Sequence, residues 1–235
     1  NIVKENLIFN NKYLYHSSYS KLWLDYSKKL SELLIKRFGI KKNSYVIEIA
    51  SNDGYLLKNF KKRGIRHLGI EPSKSVNDVA KKNGINTLNS FFGQNILKSR
   101  KIEKEPDLII GLNVLAHTPN LRDFVSTLDK LMNNNSIAVF EIQYVLNIFK
   151  KLQFDTLYHE HYSYFSITSI LGLLEKTNIS IFDVQETNTH GGSIRVFLKK
   201  RNSITMNEKS KVQKIINKEE KIGITNIKFY KKFRK

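Results

Sequence analysis

Between residues 45 and 142, short apolar runs alternate with segments of helical period. No other feature of this chain restricts its fold as tightly. Tyr45-Val46-Ile47-Glu48-Ile49-Ala50, His67-Leu68-Gly69-Ile70, a short run at 85–88, Asp107-Leu108-Ile109-Ile110-Gly111-Leu112 and Ile137-Ala138-Val139-Phe140-Glu141-Ile142 read as strands. Helical patterns lie between them at 55–62, 73–82 and 120–132, the last with Leu121, Phe124, Val125, Leu128 and Leu131 on one face. A helix over 19–38 precedes them, with Leu30, Leu34 and Phe38 in its repeat, and closes at Gly39. Strands that alternate with helices run parallel, with helices on both faces of the sheet. Such sheets bind ligands beyond the carboxyl ends of their strands.

After residue 142 the pattern changes. A helix is expected over 166–177, then strands at 179–185 and 193–198. Their connection, 186–192, is too short for a helical crossover, so they pair antiparallel. The expected fold is α/β: a mostly parallel seven-stranded sheet with an antiparallel terminal hairpin and helices on both faces. Residues 1–18, polar and tyrosine-rich without a period, are expected to form an N-terminal segment. Residues 19–200 form the core, and 201–235 a basic helical tail. The chain opens on Asn1 rather than Met, so its native N-terminus is expected upstream.

A net charge of +19 raises the question of a nucleic-acid partner. The region from Lys199 to Lys235 holds 13 Lys and Arg against 3 Glu, and the remaining excess is spread along the chain. Together with usage rich in Lys, Asn and Ile, this reads as a solvated basic surface, and a nucleic-acid partner is not expected. No apolar run approaches the ~20 residues needed to span a bilayer, so no membrane association is expected. No signal peptide opens the chain, which makes a cytoplasmic location the expectation. The absence of cysteine excludes disulfides and thiolate metal sites.

The first strand runs into Glu48-Ile49-Ala50-Ser51-Asn52-Asp53-Gly54. A dinucleotide site wants three glycines, so that backbone can approach a pyrophosphate. This turn has one glycine and two acids, which are unfavourable beside a pyrophosphate. They suit a ligand with an ammonium and a sulfonium, S-adenosylmethionine. Glu71, followed by Pro72 at the end of the second strand, is placed to accept hydrogen bonds from ribose hydroxyls. Taken singly, Glu48 is also a strand-end charge and Asp53 a helix N-cap. Asn113 and Val114 follow the fourth strand into the same crevice, and His117 is either a site residue or a surface group at a helix start.

The other dense feature is Leu157-Tyr158-His159-Glu160-His161-Tyr162-Ser163-Tyr164-Phe165, which holds two of the six histidines. His and Tyr exchange protons near neutral pH. The spacing of His159 and His161 disfavours a shared metal, no third ligand is evident, and no metal is expected.

These segments together resemble the sugar C-methyltransferases, which act on nucleotide-linked keto-sugars. The resemblance lies in Glu48 to Leu57, Gly69-Ile70-Glu71-Pro72, Asn113-Val114-Leu115-Ala116-His117, Phe154 to His161 and His190-Gly191-Gly192-Ser193-Ile194-Arg195, with Tyr15-His16-Ser17-Ser18 at the domain entry. It implies a Rossmann-like class I fold with S-adenosylmethionine as cofactor, held by Glu48, Ala50, Ser51, Asn52, Asp53, Gly54, Glu71, Pro72, Asn113 and Val114. It implies that His161 is a base that deprotonates carbon next to a ketone, assisted by Tyr158 and Glu160. Tyr15, His117, His190 and Gly191 are implied to meet the sugar. The family carries zinc in an N-terminal domain and has a further C-terminal domain, both expected to lie outside this chain. The competing expectations are a donor-binding remnant without turnover and a methyltransferase of another substrate such as RNA.

Overall fold

The computed structural model describes residues 3–231. Seven strands form one sheet: β1 Tyr45–Ile49, β2 Arg66–Ile70, β3 Thr87–Leu88, β4 Leu108–Leu112, β5 Ile137–Gln143, β6 Ile179–Thr187 and β7 Ser193–Lys200. Their order is β3-β2-β1-β4-β5-β7-β6. The first five run parallel. β7 lies antiparallel between β5 and β6, so the terminal hairpin inserts its second strand into the sheet. The fold is the expected mostly parallel one. Strand order reverses between β1 and β4, which opens a crevice at their carboxyl ends.

Every residue of β1 and β4 is buried, which is why their sequences read as continuous apolar runs. Alternate side chains feed two cores. Ile47, Ile49, Ile109 and Phe140 pack with α5 (Leu121–Leu131) and α7 (Ile167–Leu173). Val46, Leu108 and Ile110 pack with Leu30 and Leu34 of α2 (Lys21–Phe38) and Leu57 and Phe60 of α3 (Leu57–Lys61). The remaining helices are α1 Glu5–Ile8, α4 Lys74–Lys82, α6 Val145–Lys150, α8 Met206–Ile222 and α9 Ile227–Lys231.

Helix ends differ from the sequence expectation for physical reasons. α2 starts at Lys21 because the Ser20 side chain caps it, accepting from the Trp23 amide. It ends at Gly39, whose φ of 62° suits a residue without Cβ. α7 stops at Leu173 rather than 177, and Arg201 takes over the freed carbonyls, donating to Leu174 O (2.8 Å) and Thr177 O (3.0 Å). α6 has six residues, too few to show a period. The expected amphipathic end at 229–235 lies partly outside the described residues.

The region expected as a tail packs onto the core. α8 buries Val212 and Glu219. Glu219 Oε1 accepts from Tyr144 Oη (2.7 Å) and the Ile167 amide (2.8 Å), and Oε2 from the Thr168 amide (2.8 Å) and hydroxyl (2.6 Å). The carboxylate thus satisfies orphan donors at the N-terminus of α7. Among the described residues, no helix is long and apolar enough to cross a membrane.

Candidate active site

The chain leaves β1 with Ala50 at φ 56°, Asn52 at φ 49° and Gly54 at φ 82°. The left-handed backbone that glycines usually provide is here adopted by Ala and Asn, at a cost of about 1 kcal/mol or more each. Asn113 (φ 56°) and His190 (φ 48°) share this conformation. Ala50, Asn52 and Asn113 line one cavity, with His190 beside Asn113, whereas the fifth such residue, Leu152 (φ 51°), lies outside it. Counting glycines in the sequence cannot reveal such a turn.

The turn borders a cavity of about 550 Å³, a size that suits a small-molecule ligand. Ala50, Asn52 and Tyr55 line it from the β1 loop, Glu71 and Pro72 from the end of β2, and Asn113, Val114 and His117 from the end of β4. Glu5, Phe9, Tyr13 and Tyr15 of the N-terminal segment form a further wall. The sequence pointed only to Tyr15 there, because the other three sit in a stretch without a period. Among the described residues three carboxylates, Glu5, Glu71 and Asp123, line the cavity, and no Lys or Arg does, although the chain has 40.

Side chains along the turn alternate between the cavity and its support. Glu48, Ser51, Asp53 and Gly54, expected at the cofactor, are not among the cavity-lining residues. Ser51 packs against Gly69, where a Cβ would come within 2.3 Å of its hydroxyl. Asp53 holds the N-terminal segment: Oδ2 accepts from the Ser18 hydroxyl (2.6 Å) and amide (3.2 Å), with His16 Nδ1 at 3.6 Å. Asn52 does the same, accepting from the Ser17 amide (2.9 Å) and donating to Tyr15 O (3.1 Å). Glu48 is fully buried, and burial holds its carboxyl well above the usual carboxylate range. Glu71 accepts backbone amides from Asn52 (2.9 Å) and Ser73 (2.8 Å). Burial outweighs these bonds and pushes Glu71 up to about 7.

Imidazoles gather at the β4 side. His117 lines the cavity, and its Nδ1 lies 3.0 Å from Glu160 O. The His161 ring packs edge-on against it, centroids 4.8 Å apart, with its own Nδ1 2.9 Å from Thr156 O. A carbonyl only accepts, so each Nδ1 carries the proton and each Nε2 keeps a free lone pair. Burial lowers both rings, His117 to about 4, so both are neutral at pH 7. Tyr158 packs on His161 at 4.4 Å, and burial, then Glu160, pushes its hydroxyl up to about 12. His190 packs on Trp23 and lies within 3.4 Å of Asn113 Nδ2. Gly191 O accepts from Lys151 Nζ (2.6 Å) and Gln153 Nε2 (2.9 Å), which pins the turn carrying His190. His159 points outward, its side chain 59% exposed.

Known proteins share this fold. The profile of the family described as a methyltransferase domain matches residues 22–184. The chain belongs to that methyltransferase family. A second profile, described as a C-methyltransferase C-terminal domain, matches residues 188–235. The C-methyltransferase NovU of Streptomyces niveus is 30% identical over 200 residues, which are 83% of this chain and 47% of NovU. The chain therefore spans about half the length of the curated relative it matches. Magnesium protoporphyrin IX methyltransferase (ChlM) from Synechocystis PCC 6803, with bound SAH, superposes with a TM-score of 0.59 at 16% identity, over 75% of this chain and 83% of ChlM. The PH0226 protein from Pyrococcus horikoshii OT3 gives 0.62 at 12% identity, over 80% and 95%. The fold is the Rossmann-like one of S-adenosylmethionine-dependent methyltransferases.

In this methyltransferase the boundary between the two profiles, 185–187, falls on the last residues of β6, inside the sheet. Thr156 is a site residue that sequence reasoning missed. Its carbonyl, rather than a side chain, orients His161, and no residue type signals a carbonyl's direction. Glu160 orients a ring as well, through its backbone and on His117.

Proposed function

We propose that this chain is the S-adenosylmethionine-dependent core of a C-methyltransferase. Its acceptor is a carbon next to the ketone of a nucleotide-linked keto-deoxysugar. The cavity's donor set supports the cofactor. A strongly basic protein that lines a cavity with three carboxylates and, among the described residues, no Lys or Arg favours a cationic ligand over a pyrophosphate. Glu71 would accept the ribose hydroxyls, and Ile70, Phe92 and Val114 offer apolar walls for a base. S-adenosylmethionine supplies an electrophilic methyl group when bound. RNA as acceptor gains no support here, because the positive charge lies away from the cavity.

Carbon becomes nucleophilic only when it loses a proton, so the protein needs a base and a donor to the resulting enolate oxygen. His161 carries this reading: a neutral imidazole, its Nδ1 proton committed to Thr156 O, packed on the cavity wall. Its Nε2 takes the proton. Tyr158, still protonated at neutral pH, donates to the enolate oxygen. Tyr15, His117, His190 and Gly191 surround the sugar. The test is incubation with S-adenosylmethionine and nucleotide-linked keto-deoxysugars, followed by mass spectrometry. Methylation at oxygen would refute the carbon assignment.

The N-terminal segment closes over the donor. Asn52→Gly keeps the left-handed backbone but removes both hydrogen bonds to that segment. At about 1 kcal/mol of net value per bond, loss of the two is expected to lower donor affinity by roughly thirtyfold. Calorimetry checks this, and an unchanged affinity would show that the segment does not cover the donor.

A further inference from the structure

Glu48, Asp53 and Glu71 are buried together around the switch-point turn, 0%, 3% and 4% exposed. Among the described residues, none of the three has a Lys or Arg within ion-pair distance. Asp53 alone has a cationic neighbour, His16 at 3.6 Å, charged only when protonated. Neither oxygen of Glu48 makes a hydrogen bond of good geometry, although the Tyr55 hydroxyl and the Leu57 amide lie beside it. Asp53 Oδ1 is also without a partner. Glu71 has one backbone amide on each oxygen. The groups facing the cluster are Tyr13, Tyr15 and His16 from the N-terminal segment and Tyr55 from the turn, none of them a permanent cation.

Burial away from any Lys or Arg opposes ionisation of Glu48 and Glu71 until a cation joins them. We infer that Glu71, buried beside Glu48 and Asp53 at the cavity wall, holds a proton in the free protein and releases it when the cationic donor binds, so that the protein separates the sulfonium donor from its thioether product by charge. The inference rests on the donor reading given under Proposed function. The balance is simple. A carboxyl O–H breaks, its proton goes to solvent, and the carboxylate left behind faces a ligand of net charge +1. S-adenosylhomocysteine has lost the sulfonium charge and is neutral overall, so it displaces fewer protons. After transfer Glu71 regains a proton, and the product is held less tightly than the donor.

Burial of Glu71 puts this exchange near pH 7. The ionised form binds the cation, so below that pH binding must expel a proton. Donor affinity therefore rises with pH and levels off above about 7. Ribose bonds to Glu71 are common to both ligands, so the ratio of their affinities isolates the charge.

The experiment is calorimetric titration of the wild-type chain with S-adenosylmethionine and with S-adenosylhomocysteine. Phosphate and Tris buffers are compared, because their different ionisation heats count protons. At pH 7 on the order of half a proton should leave with the donor and clearly less with the product. Between pH 6 and 7.5, below the range of an α-amino group, the preference for the donor should grow roughly fivefold. Glu71→Gln should weaken both ligands and flatten that growth. Equal proton counts with a pH-independent preference would overturn the inference and leave the donor reading standing. Failure of both ligands to bind would overturn the donor reading itself, and the inference with it.

Discussion

Replacing His161 with Asn is expected to cut methyl transfer to a keto-sugar by roughly a thousandfold, within the ~10²–10⁴ range of general-base catalysis. Donor affinity should stay within about twofold, because His161 does not line the donor cavity. Asn is the informative substitute: its amide can still donate to Thr156 O, in place of Nδ1, but it offers no basic lone pair. Exchange of the hydrogen next to the ketone for deuterium should be lost in parallel, measured by NMR without donor. Retained exchange would remove His161 from the role of base. The pH profile adds a check. Burial, together with His190, lowers the imidazole below its ordinary value of 6.5, outweighing the Thr156 bond. The neutral ring is the base, so activity at saturating donor should fall only as pH drops below 6.5. An acid limb above 7 would assign the proton to another group.

The second large effect concerns stability. Glu219→Ala is expected to destabilise the chain by about 3 kcal/mol or more, because it strands the Ile167 and Thr168 amides and the Tyr144 hydroxyl. Each buried donor left without a partner costs about 1–3 kcal/mol, with entering water recovering part. For a chain of this size the melting temperature should drop by roughly 6–12 °C. Tyr144→Phe removes one of the four bonds and should cost about 1 kcal/mol. Thermal denaturation followed by circular dichroism measures both. Equal, small losses would mean that α8 contributes little to the fold. Tyr144 also pairs with Phe165, which ends the loop bearing His161. A helix expected as a tail is thus tied to the candidate site.

The parts of the site that were legible in the sequence share one property: they are set by local pattern. Alternating apolar runs determined the strands, because β1 and β4 are buried on both faces and must be apolar throughout. The seven-residue link at 186–192 determined the antiparallel hairpin. Acids at Glu48, Asp53 and Glu71 marked the turn as unsuited to a pyrophosphate.

Which of those acids lines the cavity was decided only by tertiary structure. Ala50 and Asn52 take left-handed backbone in the turn where Asp53 faces the N-terminal segment, while Glu71, at the end of β2, lines the cavity. No residue type announces that choice, because neighbouring segments enforce the backbone against its local preference. His161 shows the same division. Its place beside Tyr158 and Glu160 is written in the chain. Its tautomer depends on the carbonyl of Thr156, and its approach to the cavity on His117, 44 positions earlier in the sequence. A sequence lists the groups available for chemistry, and folding sets which lone pair is free and how much water each group loses.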